Sequence, residues 1–152
     1  MSETSNELVV TDTTPMNSTG LNAELSNLNN GQVAVFSTVK GTDHKSKVGI
    51  LNALTNSEPL ADNLNKPFKL ANVVIQSVDM PDERTGEINA VPRITLIDEA
   101  GKSLHVMSSV VYKDLKNIFG ILGMPHKWPE PLPVIAEKAK AKTGSFITLR
   151  LQ

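Results

Sequence analysis

Lys138, Lys140 and Lys142 sit at alternate positions just before a Gly144-containing turn, with Phe146 and Arg150 following it. Alternate residues of an extended chain share one face, so the three ammonium groups lie on one side if the strand extends as far as Lys142. Phe146 and Arg150 share a parity in the next segment, which offers a ring and a guanidinium side by side. Cations that track phosphates, beside flat side chains on which bases stack, are what single-stranded nucleic acid needs from a protein. The same lysines would equally keep a sheet edge soluble, and the two readings weigh evenly on these residues alone.

A second set lies upstream. Arg93 is on the parity opposite Ile94 and Leu96, Lys102 falls in a turn, and His105 alternates with Leu104 and Val106 and so should point outward. Rings are scarce, with four Phe, one Trp and one Tyr. Phe36 is placed either to stack on a base or to cover the interior. Trp128, between prolines, more often packs a loop than meets a base.

Catalytic signatures are missing. The chain has no Cys, no Gly-rich phosphate loop and no His pair at metal-binding spacing, and His44, His105 and His126 are scattered. Asp79, Asp82, Glu83 and Glu87 surround a turn where they could hold Mg²⁺, but an exposed acidic turn is ordinarily just solvated. No cofactor is expected and no enzyme is indicated.

Charge is unevenly spread. Residues 1–30 hold Glu3, Glu7, Asp12 and Glu24 and no Lys or Arg, so all 15 basic residues lie in residues 31–152, beside the other 12 of the 16 acids. A mildly basic body with an acidic tail is compatible with nucleic-acid binding. The tail is rich in Ser, Thr and Asn, and its Leu21, Leu25, Leu28 pattern looks too sparse to bury much. It reads as a disordered acidic extension ahead of a single domain spanning residues 31–152. No apolar run approaches a membrane span and no signal pattern opens the chain, so a soluble intracellular protein is expected.

The elements that must position these residues follow from periodicity. Val33–Lys40 reads as a strand, and Asp43 can cap a helix over 44–55 with Val48, Leu51 and Leu54 or Thr55 on its buried face. Strands follow over 68–80, 89–98 and 103–108, the first two joined by the polar turn 81–86. Pro92 cannot donate to a ladder, so a bulge or a locally unpaired edge is expected there. Ser109–Gly123 is the clearest helix, capped by Ser108 or Ser109 and carrying Val111, Leu115, Ile118, Phe119 and Leu122 in one stripe. Strands over 134–140 and 145–151 close the chain. The order predicts a mainly β fold with two helices. It is a five-stranded Greek-key barrel like the oligonucleotide-binding (OB) fold, with an N-terminal strand–helix addition. An unrelated α+β sandwich is the competing architecture.

From about Gly31 onward the chain resembles the single-stranded-DNA-binding proteins of small tailed phages that replicate by protein priming. The residues that carry the likeness are Val91-Pro-Arg-Ile-Thr-Leu-Ile-Asp98, Gly101-Lys-Ser-Leu-His-Val-Met-Ser-Ser109, Trp128-Pro-Glu-Pro131 and the closing Lys142-Thr-Gly-Ser-Phe-Ile-Thr-Leu-Arg-Leu151. The resemblance implies an OB-type barrel that coats and protects strands displaced during phage DNA replication, without sequence preference, in the host cytoplasm. Its partners would be single-stranded DNA and phage replication proteins, with an oligomer left open. Such proteins stack bases on tyrosines of the barrel face. Here the only tyrosine, Tyr112, lies in the helix, and His105 stands where a hairpin ring is expected. The expected interface is therefore Arg93, Lys102, Lys138, Lys140, Lys142 and Arg150 for phosphates, with His105, Phe146, Phe36 and Trp128 for bases. The reading from another class is a phage protein that binds a host protein through its sheet edge and acidic tail.

Overall fold

The computed structural model describes residues 3–4, 10–12, 21, 24–25, 35–41, 43–142 and 144–152. Nine strands share one mixed sheet: β1 (Glu3–Thr4), β2 (Val10–Asp12), β3 (Val35–Ser37), β4 (Glu58–Pro59), β5 (Phe68–Pro81), β6 (Ile88–Asp98), β7 (Ser103–Ser108), β8 (Leu132–Ala141) and β9 (Gly144–Leu151). Among the described residues, the two long helices are α1 (His44–Thr55) and α2 (Ser109–Leu122). None of the described helices is long and apolar enough to cross a membrane. The expected β68, β89, β103, β134 and β145 segments are β5 to β9; Val33 and Ala34 of the first expected strand lie outside the described residues.

β5 is the spine. Its β-branched run favours extended backbone, and one edge pairs antiparallel with β6, placing Ile75 opposite Ile94 and Val78 opposite Val91. Its other edge is divided among β8 at Phe68–Leu70, β3 at Val74–Gln76 and β1 at Val78–Asp79. β7 pairs with β6 and takes β2 and β4 in parallel along its far edge. The main order is β2-β7-β6-β5-β8-β9, and β9 comes back beside β2 and α2, so the sheet curls into a half-barrel.

Alternation sorts the side chains. Val73, Ile75, Ile94, Leu96, Leu104 and Val106 face inward and join Val134, Ala136 and Ile147 in the main core. α2 lies over this core with Val111, Tyr112, Leu115, Ile118 and Phe119 buried. The Ser108 hydroxyl accepts from the Val111 amide at 3.1 Å, and Gly123, at φ +83°, ends the helix. Leu122, expected in the stripe, is 42 % exposed, because Tyr112 shifts the buried face and the last turn runs past the sheet.

Pro92 does not bulge the sheet. It pairs in step with Ser77, and the ladder to β7 starts one residue later at Arg93, so its missing N–H falls on an unpaired edge. The register shift sits in β5, between Leu70 and Asn72.

α1 spans the expected residues but turns a different face inward. Ala53 is buried, with Ile50 and Leu54 half-buried against Val74 and Ile97, whereas Val48 and Leu51 are exposed, Leu51 at 61 %. The expected stripe rested on helical spacing alone, and contact with Val74 and Ile97 of the sheet selects the face that carries Ala53 instead. Asp43 stands at the N-cap, yet its carboxylate accepts from the Ser46 hydroxyl rather than from a backbone amide.

Part of the expected disordered extension is described, and it is docked. Leu21 and Leu25 are fully buried in the main core, and Glu24 accepts a 2.7 Å hydrogen bond from the Tyr112 hydroxyl. Burial and the Glu24 carboxylate together push the Tyr112 hydroxyl's pKa up. Two leucines at i and i+4 can fill a gap when a partner surface exists, which no local pattern reveals. Earlier in the segment, β1 and β2 pair in parallel with β5 and β7, and the remaining residues of 1–30 lie outside the described residues. Replacing Leu21 or Leu25 by Ala should cost about 2–5 kcal/mol in urea unfolding; a variant as stable as the parent chain would show that this segment is not core.

Candidate nucleic-acid interface

β8 and β9 form an arm. β5 holds β8 only as far as Val134, so beyond that point the two strands pair with each other out to the turn, steadied by the Asn65 amide donating to the Ala136 carbonyl at 2.8 Å. The register sets Lys138 opposite Ile147 and Lys140 opposite Ser145, on one face. Lys138, Lys140 and Lys142 are all exposed, and none makes an ion pair among the described residues. Phe146, Thr148 and Arg150 occupy the other face with Ala139, Glu137 and Ile135. The lysines and the ring therefore flank the arm rather than share a side.

Arg150 is already engaged. Its Nε and Nη2 donate to the two Glu137 carboxylate oxygens at 2.9 and 3.1 Å. This hydrogen-bonded pair lowers the Glu137 pKa and raises that of Arg150. Both groups are exposed, so solvent screens the pair and a phosphate could exchange for Glu137. At the base of the arm, Asp114 of α2 accepts from the Thr148 hydroxyl at 2.7 Å and the Leu149 amide at 3.0 Å. Lys102 is exposed in the β6–β7 turn, which Asp98 closes by accepting from the Ala100 and Lys102 amides.

Arg93 and His105 lie on the outer face of the curled sheet, as alternation implies, but they are covered. α1 crosses that face, and the Arg93 guanidinium donates to the Gln76 side chain at 3.0 Å, the Leu54 carbonyl at 3.2 Å and the Ser57 hydroxyl at 3.4 Å. His105 is 7 % exposed, with Nδ1 2.7 Å from the Ser57 hydroxyl. Desolvation first, and the Arg93 charge second, lower its pKa. Outward pointing was legible from β7; the covering helix was not.

The two large rings pack inside. Phe36 is 4 % exposed and packs against Phe119, ring centroids 6.0 Å apart and tilted by 54°, which resolves it as core. Trp128 is half-buried against Phe119 at 6.4 Å, and its Nε1 donates to the Gly123 carbonyl at 2.9 Å. A shallow cavity of about 280 Å³ borders its ring, lined also by Leu122, Lys127, Pro129 and Leu132.

A second cavity, of about 400 Å³, was not anticipated. It opens under the β5–β6 turn between Met80, Arg84, Asn89 and Val91. Asn89 and Val91 continue the outer-face row of Arg93 and Thr95, so extending the alternation along β6 would have pointed to it. Asp82 braces the turn by accepting from the Arg84 amide at 2.8 Å and the Thr85 amide at 3.3 Å, which keeps its pKa low. Among the described residues no group of three or more His, Asp or Glu side chains is placed to hold a metal ion.

With this geometry in view, the comparison with known families is direct. The model of the phi29-type phage single-stranded DNA-binding protein matches residues 29–152, and the chain belongs to that family. It is a family of phage single-stranded-DNA-binding proteins. No curated protein and no solved structure matches the chain. The match begins after Leu25, so the docked leucines lie outside the matched residues.

His105 supplies a pH test. Its folded pKa lies below the ordinary 6.5, so the folded state prefers the neutral ring. Stability is full above about pH 6.5 and should fall as pH drops through and below that value, where the unfolded chain binds the extra proton. Thermal unfolding between pH 7.5 and 5.5 should show this slope in the parent chain and a flatter one in His105→Phe; identical slopes would rule the buried ring out as its source.

Proposed function

We propose that this chain is a sequence-independent single-stranded-DNA-binding protein that coats and protects displaced strands during phage DNA replication. The observation that carries the reading is the projecting β8–β9 arm with three exposed, unpaired lysines, in a chain whose family binds single-stranded DNA. Phosphate neutralisation supplies affinity without reading sequence, which is what coating any displaced strand requires.

The connectivity supports an OB-type Greek-key barrel. β5, β6 and β7 form a meander, α2 follows the third of these strands, and β8 returns to pair with β5 before turning into β9. In this reading residues 31–152 are the binding domain and residues 1–30 an acidic extension that docks at Leu21 and Leu25. Lys138, Lys140, Lys142 and Lys102 take phosphates directly. Arg150 joins when it leaves Glu137, and Phe146 and the exposed side of Trp128 are the available platforms for bases. The site of action is the host cytoplasm, with phage replication proteins as the other partners.

Exchanging Lys138, Lys140 and Lys142 together for Gln should weaken binding to poly(dT) and poly(dA) alike. Each lost phosphate contact should lower the slope of log K against log salt by about 0.7, so by about 2 for the set. A triple variant with the parental slope would remove the arm from the interface.

A further inference from the structure

α1 is lightly seated. It runs diagonally from the β5 edge, where β3 ends, to the β7 edge, where β4 begins, and along that path it buries only Ala53. Its last turn is held by the sheet's own polar side chains. Ser103 donates to the Ala53 carbonyl at 2.8 Å, Arg93 reaches the Leu54 carbonyl, and Ser57 just beyond closes on His105. The helix has no basic residue in its last turn and no side-chain hydrogen bond at its N-cap, so its C-terminal carbonyls depend on these contacts. Gly49 in its middle lowers its intrinsic stability further.

Beside the small apolar cluster of Val74 and Ile97, the surface beneath is polar. Thr95 and His105 are directly opposed across β6 and β7 on this outer face, beside Arg93, Gln76 and Ser103. Thr95 Oγ1 and His105 Nε2 are buried there without a hydrogen-bond partner, and among the described residues they are the only such side-chain atoms. Buried polar atoms are nearly always paired, so two orphans on neighbouring residues of one face call for an explanation. α1 also carries Lys45 and Lys47 and no carboxylate, so it would not repel an approaching phosphate.

We infer that α1 and Ser57 form a strap that single-stranded DNA displaces from the outer face, giving Arg93, Thr95 and His105 to the nucleotide. The inference rests on the single-stranded-DNA reading above. Arg93 exchanges two neutral oxygens, the Leu54 carbonyl and the Ser57 hydroxyl, for a charged phosphate oxygen, which makes the stronger hydrogen bond. His105 and Thr95 gain partners for atoms that have none. In return the strap gives up the small cluster of Ala53 with Val74 and Ile97 and the half-buried contacts of Ile50 and Leu54, a much smaller apolar contact than the main core.

Gly49→Ala tests this because a methyl there meets nothing within 4 Å. The substitution stabilises the helix without touching the interface. It should raise thermal stability yet weaken binding to a (dT) oligonucleotide by about five-fold, as expected when the closed state is favoured. Amide exchange over residues 44–57 should speed up when the parent chain is saturated with the same oligonucleotide, while β6 keeps its protection. The strap is overturned if Gly49→Ala binds as tightly as the parent or tighter, or if protection over 44–57 stays the same or rises in the complex. Failure of the parent chain itself to bind (dT) would remove the DNA reading and the strap together, whereas parental binding with an unaltered variant removes the strap alone.

Discussion

Backbone satisfaction along β5 is the constraint on which the structure depends. A long strand with both faces largely covered must find hydrogen-bond partners for the amides and carbonyls on both of its edges. β6 serves one edge over nearly the whole length, while the other is shared by β8, β3 and β1 in turn. Each sharing segment then has to leave the strand after two or three residues. That requirement sends β8 outward as an arm and sends the chain after β3 across the sheet as α1. The arm and the strap are consequences of the same division of one edge.

The two regions treat charge in opposite ways. On the arm, lysines stand in water where they cost nothing and attract phosphate over the range of a Debye length. On the outer face, a guanidinium, an imidazole and a hydroxyl are covered by a helix that contributes little apolar contact of its own. In the proposed function the first arrangement serves fast, sequence-blind capture, and in the proposed strap the second holds short-range contacts in reserve. The acidic turn beside the 400 Å³ cavity adds a counterweight, since Asp82 and Glu83 discourage phosphate there while Met80 and Val91 leave an apolar floor.

Much of this was readable from residue order. Period-two alternation identified β5 to β9, and Ser108 with Gly123 bounded α2 to within a residue. Local pattern failed where a choice depended on a distant surface. Spacing in α1 pointed to Val48 and Leu51, and only the position of Val74 and Ile97 decides for Ala53. His105 faces outward as its parity requires, yet its exposure depends on a helix some 50 residues earlier in the chain. Leu21 and Leu25 bury because a gap in the core accepts them, with Glu24 fixed on Tyr112. Pro92 was a real signal of an unpaired edge, while the register shift in β5 carries no proline or glycine to announce it.

Single-strand preference without sequence preference is the claim on which the functional account stands. A mobility-shift titration at low salt with poly(dT) and poly(dA) of equal length, each challenged with duplex competitor, measures it most directly. The account predicts retardation of both polymers with affinities within a few-fold of each other, and little loss to duplex. No shift at low salt, or duplex competing as well as single strands, would contradict it.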